Sequence, residues 1–137
     1  MKVECVVNKT SAIPPELSES IKSDTGVVDS IQVGKEYVVY AIGNYRGHIW
    51  YYIADEYYSE YPIWHPEIFF KILDPRVSSY WQVSVHENEI NIGFKEWIAD
   101  RYFYESLTNG NKKALEIFSK YKRLMDEEFP ESAEDDE

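Results

Sequence analysis

An α+β fold is predicted for this 137-residue chain: a small antiparallel β-barrel or strongly curled sheet, followed by a C-terminal helical hairpin. Three observations carry the prediction. Two β-type runs, Tyr37 to Ile42 and His48 to Ile53, flank a glycine-bracketed turn. From Trp81 to Phe94, apolar and polar residues alternate on both sides of Glu87-Asn88. From Lys95 onward the apolar spacing changes to three and four, one face of a helix. Strands first and helices afterwards are the α+β pattern.

Val3 to Val7 reads as a short opening strand. Asn8 to Ile31 has no periodicity, and Pro14-Pro15 and Asp24-Thr25-Gly26 mark turns, so it reads as an extended connection. Pro15-Glu16-Leu17 can open one helical turn, because proline is tolerated there. The first hairpin turns through Gly43 to Gly47. Asp55 to Pro66 is a long loop containing Pro62 and Pro66, and Glu67 to Leu73 is the next strand, ended by Asp74-Pro75. In the second hairpin Trp81, Val83, Val85, Ile90, Ile92 and Phe94 form the apolar face. Gln82, Ser84, His86, Glu89 and Asn91 form the wet one.

A helix from Lys95 stops at Asn109-Gly110, a good C-terminal signal. A second, Asn111 to Met125, carries Ala114, Ile117, Phe118, Tyr121, Leu124 and Met125 on one face. The expected organisation is one domain over 1–125, with a strand core at about 33–97 and helices at about 95–125. An acidic, disordered tail over 126–137 completes it. Short strands with hairpin links suit an SH3-like barrel, whose closure would hide the strand edges. An open antiparallel sheet with helices on one face is the alternative.

Composition bounds the function. With 44% hydrophobic and 28% charged residues, the chain supports one ordinary core. No run approaches the roughly 18 apolar residues of a membrane span. Met1 to Val7 is too short, and too interrupted by Glu4, for a signal peptide. One cysteine excludes an internal disulfide or a zinc site of several thiolates. A cytoplasmic location is expected.

The formal charge of −11 is unevenly spread. Residues 126–137 hold eight acids and no base, leaving 17 acids and 14 bases in the rest. Val33 to Trp97 carries nine acids against five bases, while Ile98 to Met125 carries three acids against six bases. An acidic middle argues against a nucleic-acid surface, since affinity for phosphate comes from Lys and Arg. It suits a cationic protein partner.

No catalytic signature is present. His48, His65 and His86 lack the spacing that would aim two of them at one metal, so neither metal nor cofactor is expected. Cys5 reads as a small buried hydrophobe. No nucleophile elbow or glycine-rich phosphate loop occurs.

The distinctive stretch is Asp55 to Pro66, where Asp55, Glu56, Tyr57, Tyr58, Glu60, Tyr61 and Trp64 are the candidate partner-binding residues. Tyr and Trp dominate binding hot spots, and flanking carboxylates steer a cationic partner. Alternatively Tyr61, Ile63 and Trp64 cap one end of the barrel while the acids are solvated. Ile49 and Tyr51 share one strand face, and His48, Trp50 and Tyr52 the other. One of these faces offers a groove for an extended peptide if the other is core.

Val33-Gly34-Lys35-Glu36-Tyr37-Val38-Val39-Tyr40-Ala41-Ile42, then Trp50-Tyr51-Tyr52-Ile53, and the loop Tyr61-Pro62-Ile63-Trp64-His65-Pro66 carry a resemblance. Over about residues 33–97 the chain resembles small bacterial proteins with an SH3-like core. Some of these serve as immunity proteins of toxin systems, including contact-dependent growth inhibition. The resemblance implies an acidic immunity protein that occludes a cytotoxic partner such as a nuclease. An SH3-like peptide-binding module and an enzyme with an unrecognised site are the alternatives.

Overall fold

β1 (Lys2–Cys5) is the middle strand of a three-stranded antiparallel sheet, between β2 (Glu36–Val38) and β6 (Phe70–Asp74). The computed structural model describes residues 1–131 apart from positions 18 and 22. Its second antiparallel sheet runs β5 (Ile63–Pro66), β4 (His48–Ile53), β3 (Ala41–Tyr45), β8 (Glu89–Phe94) and β7 (Trp81–His86). Helices α1 (Lys95–Ala99), α2 (Phe103–Thr108) and α3 (Lys112–Glu128) follow. The fold is α+β, but the expected closed barrel does not form: β5 and β7 remain outer strands.

The reason lies at Val39–Tyr40. The run from Tyr37 to Ile42, read as one strand, serves both sheets. Val39 N–H donates to the Met1 carbonyl at 3.0 Å, and Tyr40 N–H donates to the Tyr52 carbonyl at 2.9 Å. The run thus passes from the smaller sheet to the larger, and because among the described residues the outer strands of neither sheet pair onward, two layers form instead of one closed wall.

The first hairpin is tighter than expected. Tyr45 pairs with His48, leaving Arg46 and Gly47 as a two-residue turn with φ of 53° and 76°. Positive φ at both positions matches the right-handed strand twist. Gly43 and Asn44 are therefore strand residues. Glu87 and Asn88, with φ of 49° and 68°, close the second hairpin in the same way, where the sequence places it.

The first predicted helix is divided. Asp100 Oδ1 accepts from Tyr102 N–H at 2.9 Å, a local turn that competes with helix continuation and separates α1 from α2. The stop at Gly110 holds, with φ of 77°. Asn111 then caps α3 by accepting from Ala114 N–H at 2.9 Å.

The last helix passes its expected end at Met125. Asp126 and Glu128, assigned to the tail, sit in α3, and Phe129 is buried beyond it. Tyr40 Oη donates to Asp126 Oδ1 at 2.6 Å, while Ser78 and Ser79 donate to the Glu128 carboxylate. These bonds order the acids. Positions 132–137 of the expected tail lie outside the described residues.

Two hydrophobic clusters hold the layers together. Between the sheets, Val3, Cys5, Tyr37, Tyr51, Ile53 and Phe70 pack together. Between the larger sheet and the helices, Phe94, Trp97, Phe103, Leu107, Phe118 and Tyr121 do so. Gly93 lets α1 lie close on the sheet, because a Cβ there would come within 3.3 Å of Trp97 Cγ. The apolar face of the β7–β8 hairpin is only partly covered. Trp81 and Phe94 are packed, yet Val83 and Val85 are 60% and 72% exposed. No helix among the described residues is long and apolar enough to cross a membrane.

Phe94 stacks on Tyr121 at 4.2 Å and meets Trp97 and Phe103 edge-on. Phe94→Ala is expected to cost about 3–5 kcal/mol in urea unfolding, the range for deleting a buried aromatic ring. Burial opposes the Glu128 charge, but the hydrogen bonds from Ser78 and Ser79 outweigh it and hold the carboxyl below 4.5. Its stabilisation is present above pH 4.5 and is lost as pH falls through the lower folded value. Glu128→Gln should flatten that part of the stability profile below pH 4.5, followed by thermal melts across pH.

Candidate functional site

The aromatic-acidic stretch leaves β4 and returns as β5, so residues 54–62 bridge two neighbouring strands. The loop is shorter than the sequence suggests. Ile63 to Pro66 pairs with β4, and Pro66 is tolerated because β5 is an outer strand.

Asp55 organises the loop. Its side chain is 1% exposed, and Oδ2 lies 3.1 Å from Nε2 of buried His65. Oδ1 accepts from the backbone N–H groups of Tyr57 and Tyr58, both at 2.9 Å. A buried carboxylate requires such partners, because stripping its water without replacement is costly. Asp55 therefore fixes the loop's entry instead of facing a partner.

Glu56 is also committed. Its N–H donates to the Ser30 carbonyl at 2.8 Å, and Oε2 accepts from Lys35 Nζ and from Tyr37 Oη. The Tyr37 phenol is raised chiefly by burial, with the Glu56 carboxylate adding to it.

Tyr57 and Tyr58 point outward, 62% and 45% exposed. The nearby Asp29 carboxylate raises the Tyr57 phenol. Tyr58 lies 5.6 Å from the ring of half-buried Tyr61. Tyr61 packs against the helical cluster, and Tyr104 Oη donates to the neighbouring Pro62 carbonyl at 2.8 Å. Trp64 turns onto the sheet, 4.4 Å from Trp50 and 5.4 Å from Tyr45. The seven candidates thus divide: Tyr57, Tyr58 and Glu60 are presented, while Asp55, Glu56, Tyr61 and Trp64 support them.

A groove runs along each side of the loop. One, of about 420 Å³, is lined by Asp24, Thr25, Asp29, Tyr57, Tyr58 and Ile63. The other, of about 600 Å³, places Ser59 and Glu60 opposite Lys112, Leu115, Ser119 and Lys122 of α3. Asp24 and Asp29 were not among the sequence candidates. The Lys9–Val27 bridge and the Glu56–Ser30 hydrogen bond bring their segment alongside the loop, and no motif encodes that approach.

From Trp50 to Ile53 both sides of β4 are covered, whereas Ile49 near its start is exposed. Tyr51 is buried against the smaller sheet, and Tyr52 packs edge-on against Trp97 and Tyr104 under the helices. Cys5 is fully buried, and burial pushes its thiol up. Among the described residues, no three His, Cys, Asp or Glu side chains converge as metal ligands. No family model, curated protein or solved structure matches the chain.

Asp55→Ala removes three hydrogen-bond partners at once from a buried position. A loss of about 2–4 kcal/mol is expected, from donors left unsatisfied. Amide exchange should accelerate at Tyr57 and Tyr58 while the β7–β8 ladder stays protected. Uniform acceleration across both regions would mean that Asp55 supports the whole fold rather than the loop.

Proposed function

We propose that this chain is a non-enzymatic binding protein, an immunity protein that neutralises a cationic cytotoxic partner by occluding it. The observation that carries the reading is the pair Tyr57 and Tyr58, exposed on a loop whose base is pinned by Asp55 and His65. Exposed tyrosines on a fixed base lose little conformational freedom on docking, which favours affinity. Asp24 and Asp29 put negative charge on one side of them, which would guide a cationic surface into register. On the other side Glu60 adds a carboxylate, facing Lys112 and Lys122 of α3. A nuclease fits this chemistry, since it needs cationic groups to hold phosphate.

The short, hairpin-linked strands between residues 33 and 97 support reading that segment as an SH3-like core. Inhibition by occlusion needs no reaction. It requires about 800 Å² on each partner, which the loop and its two flanking grooves can contribute to. Such a protein would act in the bacterial cytoplasm. A strand-face peptide groove has less support, because Trp50 and Tyr51 are both buried.

Co-purification from the native lysate, washed at low and high salt, tests the reading. The intact chain should retain a cationic partner that high salt releases. Truncating Tyr57 or Tyr58 to Ala should weaken binding by about thirtyfold each, the size of a 2 kcal/mol hot spot. Glu60→Lys should slow association and reduce its salt dependence. Capture that is indifferent to all three substitutions would sink the assignment to this loop.

A further inference from the structure

We propose that the chain forms a two-fold symmetric dimer by pairing the outer edge of β7 with β7 of a second copy. The two five-stranded sheets would join into one of ten strands. Among the described residues, no strand occupies the outer side of β7. Soluble proteins usually blunt such an edge with charge, proline, a bulge or brevity. The opposite edge follows that rule, since β5 is short and ends in Pro66.

β7 does not follow it. Its six residues, Trp81-Gln82-Val83-Ser84-Val85-His86, include no Asp, Glu, Lys, Arg or Pro. Its register with β8 is unbroken from Trp81–Phe94 to His86–Glu89.

The hairpin geometry selects which backbone groups are free. The two-residue turn bonds the His86 carbonyl to Glu89 N–H, and hydrogen-bonded pairs then recur at every second residue. Gln82, Ser84 and His86 therefore turn their backbone groups toward β8, while Trp81, Val83 and Val85 turn theirs outward. Trp81 N–H is already taken by the Ser78 carbonyl at 3.2 Å. Among the described residues Val83 and Val85 have no partner for either group, and they are also the exposed apolar side chains of the strand.

An antiparallel pairing centred on Ser84 satisfies both residues at once. Val83 of each copy meets Val85 of the other, exchanging N–H and carbonyl. The valines become cross-strand apolar neighbours on one face, a stabilising pair type in sheets. Gln82 would face His86 of the second copy and Glu87 would face Trp81, so no carboxylate opposes another. Isologous contacts of this kind close after two copies. The paired edge is small beside the roughly 800 Å² per partner of a stable interface, so the dimer should be weak and its population should depend on concentration.

Sedimentation equilibrium of the full chain from about 5 to 500 µM should show mass rising toward that of a dimer. Val85→Lys should move the midpoint upward by at least about tenfold through charge on the edge. Its thermal unfolding should stay unchanged, because the side chain is already solvated. Ser84→Cys places like residues across the axis in a non-hydrogen-bonded pair about 4.5 Å apart, within disulfide range. That variant should oxidise to a covalent dimer, whereas Val83→Cys, facing Val85, should not.

A wild-type chain that stays monomeric over this range overturns the proposal. So does a dimer insensitive to Val85→Lys, or equal cross-linking of the two cysteine variants. A monomer whose Val85→Lys form loses partner capture would give the edge to a partner segment instead of a second copy.

Discussion

The backbone at Val39 and Tyr40 has to satisfy two sheets within two residues, and most of the architecture depends on how it does so. Val39 completes the smaller sheet through Met1, and Tyr40 begins the larger one through Tyr52. The Tyr40 carbonyl accepts from Trp81 Nε1 at 3.0 Å, its hydroxyl donates to Asp126, and its ring meets Phe118 edge-on at 5.4 Å. Burial, reinforced by the neighbouring carboxylate, keeps its phenol raised and so protonated as a donor. One residue thereby ties the crossover to β7 and to the last helix.

Two layers rather than one closed wall also decide what the aromatic residues do. A sheet covered on both faces consumes rings on both faces, which is why Tyr51 and Tyr52 are packed in opposite directions. Burial alone pushes the Tyr52 phenol up to about 12. The same packing takes Tyr61 and Trp64 out of the loop and makes them its foundation. Tyr57 and Tyr58 escape because the connection between β4 and β5 is longer than a tight turn and Asp55, itself buried, pins its base so that the next residues turn outward. Their exposure is a consequence of where the layers end.

The candidate site was legible in part. The clustering of Tyr57, Tyr58 and Glu60 marked the loop from composition alone, since surface connections seldom concentrate large rings. The sequence did not reveal that Asp55 is a buried anchor, because an aspartate beside a strand end looks the same whether it is solvated or enclosed. His65 read as an isolated histidine for the same reason: its partner lies ten residues away, across the turn into the adjacent strand. Asp24 and Asp29 carried no local signal at all. They reach the site through tertiary pairing of a segment without periodicity.

Local periodicity determined the α+β class, the alternating β7–β8 hairpin, the helix stop at Gly110 and the apolar stripe of α3. Each of these follows from contacts within a few residues, so the side-chain pattern and the backbone conformation must agree. The tertiary structure alone decided that the barrel stays open, because the change of sheet at Val39–Tyr40 depends on β1, more than thirty residues earlier. It also decided that α3 runs past Met125, since Tyr40, Ser78 and Ser79 satisfy acids that would otherwise favour solvent. Alternation assigned Val83 and Val85 to an apolar face but could not say whether a second layer reaches that face. Period two fixes the side on which a residue lies, and only the extent of the opposing layer fixes whether that side is covered.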